Sequence, residues 1–126
     1  MPNLFLVMLG GAIGSAARYG VGRLGLALLG PAFPWGTLAV NILGGFLMGL
    51  LGASLLRFGQ NAEQARLLLG VGVLGGFTTF SSFSLETFAM IERGDALVAL
   101  GYVLASVIGA IGALAVGMTL ARAVTA

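Results

Sequence analysis

Read as alternating apolar and polar stretches, the chain falls into four long apolar runs separated by short polar breaks. The runs extend roughly from Leu4 to Leu29, Trp35 to Leu56, Ala65 to Ile91 and Ala96 to Ala121. Each reaches or exceeds the ~20 residues an α-helix needs to cross the hydrocarbon layer, so four spanning helices are predicted. The breaks are GPAFP at Gly30 to Pro34, RFGQNAEQAR at Arg57 to Arg66 and ERGD at Glu92 to Asp95. Connections this short leave no room for an extramembrane domain between spans and make successive helices antiparallel neighbours. An even number of spans puts both chain ends on one side. The first run lacks a basic leading region and continues past any cleavage point, so it is expected to stay in the mature bundle. Residues 1–126 thus read as a single all-α integral membrane domain.

Composition agrees with this pattern. The mean hydropathy is +1.09, and six basic and four acidic side chains are too few to cover a water-exposed surface. A pI near 10.0 would suggest nucleic acid in a soluble protein. Here it comes from scattered arginines with a net charge of only +2, so no basic patch forms and no nucleic-acid partner is expected. Cysteine and histidine are both absent, which removes disulfides, thiolate or imidazole metal sites and histidine-based triads. Hydrolytic enzymology is therefore not expected.

Charge and glycine change the picture further. Arg57, Arg66 and Arg122 fall on the side of the chain ends, against Arg93, Arg23 and Arg18 towards the other. Orientation normally follows an excess of basic residues on the cytoplasmic side. A chain balanced in this way is expected to insert both ways; the alternative is one orientation set by a weaker bias. The 22 glycines include small-xxx-small spacings at Gly10/Gly14, Gly45/Gly49 and Gly72/Gly76, with Gly101, Gly109 and Gly112 in the last span. Such faces let helices approach closely in lipid. They either stabilise one bundle or exceed its needs and favour a homo-oligomer, which dual topology would make an antiparallel twofold dimer.

The third run contains LGGFTTFSSFSLETF, Leu74 to Phe88, where hydroxyls and phenylalanines crowd into apolar surroundings. Polar groups in the bilayer must find partners or line a wet cavity. Gly75-Gly76 followed by Thr78-Thr79 makes a poor continuous helix. Either the helix breaks there and frees backbone carbonyls able to hold a desolvated cation, or it continues with a glycine packing notch. Beyond this point Phe80, Phe83 and Thr87 share one helical face flanked by Ser84. That face is either core or a lining of weak donors and ring edges, which carry the positive part of the aromatic quadrupole. In the second run Asn41 lies within the span with Thr37 one turn before it. Its amide serves either as interhelical glue or as a donor at the mouth of an anion path. Uncharged donors can dehydrate a small anion without trapping it.

Three motifs in order, GGAIGSAARY (Gly10 to Tyr19), PWGTLAVN (Pro34 to Asn41) and GGFTTFSSFSLE (Gly75 to Glu86), resemble those of the Fluc (CrcB) family of fluoride channels. The resemblance covers essentially the whole chain. It implies an antiparallel, dual-topology homodimer in the plasma (inner) membrane, with helix 3 broken near its middle and two fluoride pores lined by both protomers. By position, Asn41 would sit at the pore vestibule, Phe80 and Phe83 would form aromatic boxes, and Ser81, Ser84 and Thr37 would supply hydroxyls. Tyr102 and Ser106 fall where the family places polar pore-side groups. Ala110, one turn on, lacks the further hydroxyl expected there. A structural sodium ion would be held by the carbonyls of Gly75 and Thr78. Arg18 would have an electrostatic or structural role, and Glu86 would lie near a pore entrance or cap a polar network. The implied activity is passive fluoride export that relieves toxicity.

Two other readings compete. A small multidrug exporter swaps protons for cationic drugs through a carboxylate in the first span, but residues 3–29 hold no Asp or Glu. A non-transporting assembly subunit would use its polar residues for association alone, which leaves donors and aromatics on one face without a purpose.

Overall fold

The computed structural model describes residues 2–125, the side chains of 60, 61 and 125 excepted. Helix α1 runs over Pro2–Leu29 and α2 over Trp35–Leu55. After a short 3-10 turn at Gly59–Ala62, α3 covers residues 63–77, with π-type hydrogen bonding over Arg66–Leu74. Helix α4 is Ser81–Glu92 and α5 is Ala96–Thr125. Among the described residues four helical spans are long and apolar enough to cross a membrane, α3 and α4 together making the third at Glu63–Glu92. There is no strand among the described residues. This is a multi-pass membrane protein, and the helix ends fall within a few residues of the sequence-predicted limits. Within the third span, Thr78 is extended at φ −87°, ψ 160°, and helix resumes at Ser81.

The spans pair as α1 with α3 and α2 with α5. Each pair closes on glycine. A Cβ at Gly14 would collide with the Val73 carbonyl, and one at Gly49 with the Leu114 carbonyl, so both positions need hydrogen as side chain for the backbones to touch. Gly72 and Gly76 complete the first seam against Gly10 and Gly11. By contrast, Gly101 and Gly112 on α5 meet nothing within 4 Å. Gly94, at φ +86°, ends α4 in the left-handed conformation and turns the chain into α5. The side chains of Phe83, Met90, Ala99 and Tyr102 form the small core, with Phe33, Leu38 and Val103 against it. Much of the remaining apolar surface points outward, as a lipid-facing bundle requires.

Candidate functional site

The interruption between α3 and α4 is held by specific hydrogen bonds. In a continuing α-helix the Thr79 amide would donate to the Gly75 carbonyl. It donates instead to Asn41 Oδ1 at 2.8 Å, while Asn41 Nδ2 donates back to the Thr79 carbonyl at 3.0 Å. Asn41, on α2, thus holds both backbone polar groups of one residue, the N–H and the C=O of Thr79. The Ser82 amide likewise turns from the Thr78 carbonyl to Thr79 Oγ1, at 3.1 Å. Arg18 of α1 places its Nε–H 3.0 Å from the Gly76 carbonyl. Regular bonding survives on either side, from Thr78 N–H to Leu74 O at 3.1 Å and from Ser84 N–H to Phe80 O at 2.8 Å.

Beside the interruption lies a groove of about 390 Å³ lined by Asn41, Thr78, Thr79, Phe80, Phe83 and Ser106, with Ala110 further along. Phe80 and Phe83 have ring centroids 5.5 Å apart. They differ in environment: Phe83 is 8% exposed and Phe80 77%. Ser106 is only 6% exposed, yet its Oγ has no hydrogen-bond partner among the described residues. A buried hydroxyl without a partner is costly, so this one is a candidate for ligand contact.

On the far side of Phe83 is a second polar cluster. Glu86 accepts from Thr37 Oγ1 and from Tyr102 Oη, each at 3.0 Å. Tyr102 is fully buried, with Phe33 packed edge-on at 5.3 Å and Phe83 tilted at 5.1 Å. Phe83 thus belongs to both: it lines the groove and packs against the Tyr102 ring that donates to the carboxylate. Thr37 borders two hollows of about 300 Å³ each, one reaching Glu86 and Arg93, the other Arg18, Arg23 and Ser82.

A family model described as "CrcB-like protein, Camphor Resistance (CrcB)" matches residues 5–118. The chain belongs to the CrcB family. Among its relatives, a protein of Sphingopyxis alaskensis is 55% identical over 97% of both chains. One of Phenylobacterium zucineum is 56% identical over 100% of both, and one of a Chelativorans species is 54% identical over 98% of this chain and 99% of its own. Each carries the name fluoride-specific ion channel FluC.

In this CrcB-family chain the residues singled out from sequence divide into groups. Asn41, Thr78, Phe80, Phe83 and Ser106 meet at the groove, and Thr37, Glu86 and Tyr102 at the carboxylate. Arg18 reaches the interruption itself, beside Gly75, which is exposed on α3. Ser81 and Ser84 stand outside both groups and are exposed. The Ser84 hydroxyl donates to Phe80 O at 2.8 Å, and Ser81 Oγ lies 3.4 Å from Thr79 Oγ1. Thr78 and Thr87 also return their hydroxyls to carbonyls four residues back, the local bond that lets a helix hide such groups. Sequence reasoning gave Thr79 no role of its own, although it organises the interruption. Its only signal was the consecutive threonine pair.

Proposed function

We infer that this chain is a fluoride channel of the bacterial inner membrane that lets the anion leave the cell passively. The observation that carries this reading is end-to-end similarity to relatives named fluoride-specific ion channels, at 55% identity over 97% of both chains in one case. The groove is consistent with it. It joins an amide, two phenylalanine rings and a hydroxyl unpartnered among the described residues, and no arginine among those residues lines it to trap an anion. Such groups can replace part of a small anion's hydration shell and still release it. Fluoride enters cells as neutral hydrogen fluoride and ionises inside. A potential of about 100 mV, negative inside, then favours exit by ~2.3 kcal/mol per charge, roughly a fiftyfold gradient, so no pump and no enzymatic step is needed.

The working unit is an antiparallel, dual-topology homodimer with two pores. Two observations support it: Phe80 is 77% exposed beside the groove, and the arginines are balanced between the two sides. A structural sodium ion belongs to the same reading, and the residues present fit it. The amides that would bond the carbonyls of Gly75 and Thr78 in a continuous helix go elsewhere, and free backbone carbonyls suit an alkali cation. When bound, sodium would supply a fixed positive charge that ties the two interruptions together; it is not transported. Asn41, Phe80, Phe83 and Ser106 would contact the anion, while Thr37, Tyr102 and Glu86 would frame its path.

The test is fluoride efflux from liposomes holding the purified protein, started by a potassium ionophore and followed with a fluoride electrode, chloride serving as control. Fluoride release without chloride release is expected. Silence from folded, dimeric protein would overturn the channel reading and leave these groups as assembly features.

A further inference from the structure

Of the carbonyls at the helix interruption, two have partners from other helices. Gly76 O accepts from Arg18 Nε, and Thr79 O accepts from Asn41 Nδ2, each at 3.0 Å. Two others lose the partner a helix would give them, because the Thr79 amide goes to Asn41 Oδ1 and the Ser82 amide to Thr79 Oγ1. The Thr78 hydroxyl bonds back to Leu74 O at 3.0 Å, so Thr78 presents its carbonyl and not its side chain. The release of these two carbonyls therefore follows from the side chains that divert the Thr79 and Ser82 amides.

We propose that Asn41 and Thr79 are positioning residues of the cation site, whose side chains draw the Thr79 and Ser82 amides away and thereby present the Gly75 and Thr78 carbonyls to a sodium ion. Arg18 engages one of the two intervening carbonyls, that of Gly76. The proposal rests on the sodium reading and adds to it what draws away the two amides that would otherwise close on these carbonyls. It also gives Asn41 a second task. With Oδ1 and one N–H bound to the Thr79 backbone N–H and C=O, a single amide N–H remains for an anion.

Without Asn41 Oδ1, the Thr79 amide is free to return to Gly75 O and close the helix over one ligand. Without Thr79 Oγ1, the Ser82 amide can do the same to Thr78 O. Each change sets a hydrogen bond in competition with the cation, which is worth about tenfold in affinity.

The test uses the full-length protein in detergent, with melting temperature followed as sodium replaces N-methylglucamine at constant ionic strength. In the wild type, stability should rise with sodium and saturate. Asn41→Ala and, independently, Thr79→Val should each need about tenfold more sodium for half-maximal stabilisation. Thr79→Ser, which keeps the acceptor oxygen, should return the midpoint towards wild type. A merely structural role would lower every melting temperature and leave the sodium midpoint in place, and that result would overturn the proposal. A wild type indifferent to sodium would overturn the sodium reading itself and the proposal with it. If Asn41→Ala does not fold, Thr79→Val against Thr79→Ser decides the matter alone.

Discussion

Ser106→Ala separates function from stability at a single atom. The Ser106 side chain is buried and its Oγ has no partner among the described residues, so truncation breaks no hydrogen bond within the protomer. A buried hydroxyl left without a partner costs ~1–3 kcal/mol, and removing it should relieve part of that cost. For a chain of this size each kcal/mol corresponds to roughly 3–5 °C in Tm, so the variant should melt no lower than wild type and up to several degrees higher. Flux should move the other way. A hydrogen bond to a charged partner contributes ~1.5–3 kcal/mol, roughly tenfold or more in rate. With Asn41 still lining the same groove, the lower end of that range is expected. The assay pairs a melting curve with fluoride efflux from liposomes for each protein. A variant that melts several degrees lower and conducts like wild type would refute the reasoning, because the hydroxyl would then be a structural bond to the second protomer.

The two phenylalanines should part company: Phe80→Ala, at a position 77% exposed in the protomer, should change the stability of monomeric protein by no more than about 0.5 kcal/mol, while Phe83→Ala, at 8% exposed, should cost about 3 kcal/mol through the cavity it leaves. Both should lose fluoride flux, and wild-type flux in either would remove it from the pore. Tyr102→Phe deletes the Oη–H donated to Glu86 at 3.0 Å and should destabilise by ~1.5–3 kcal/mol; unchanged thermal stability would mean that the carboxylate is satisfied without it. At the α2–α5 seam, Gly49→Ala drives a Cβ into the Leu114 carbonyl and should cost ~1–3 kcal/mol. Gly112→Ala, with nothing within 4 Å, should be neutral or stabilising by up to ~1 kcal/mol in the monomer, and a loss confined to the dimer would place a second protomer against that face.

The spans could be read directly from residue order, because crossing a bilayer is a local condition: enough consecutive apolar residues, with every backbone group bonded inside its own helix. The same local logic marked Gly75-Gly76-Phe77-Thr78-Thr79 as poor helix, and the motif order identified the family. What residue order left open was which polar group meets which. Seven hydroxyl or carboxyl side chains follow Phe77 in the third run, from Thr78 to Thr87, and all looked available. Three of them, Thr78, Ser84 and Thr87, turn back onto their own helix. Glu86 instead draws in Thr37, 49 positions away, and Tyr102, 16 away. Asn41 could be glue or donor from sequence, and the fold engages both ends of its amide with the backbone of one residue 38 positions distant. Likewise Gly49 and Gly112 look alike in a list of glycines, yet one touches a carbonyl and the other faces open space. Those choices depend on the rotation and depth of one helix against another, set by close packing at the glycine seams. Periodicity within a single helix carries no information about that relative placement, so only the assembled bundle could decide which side chains hold the structure and which remain for an ion.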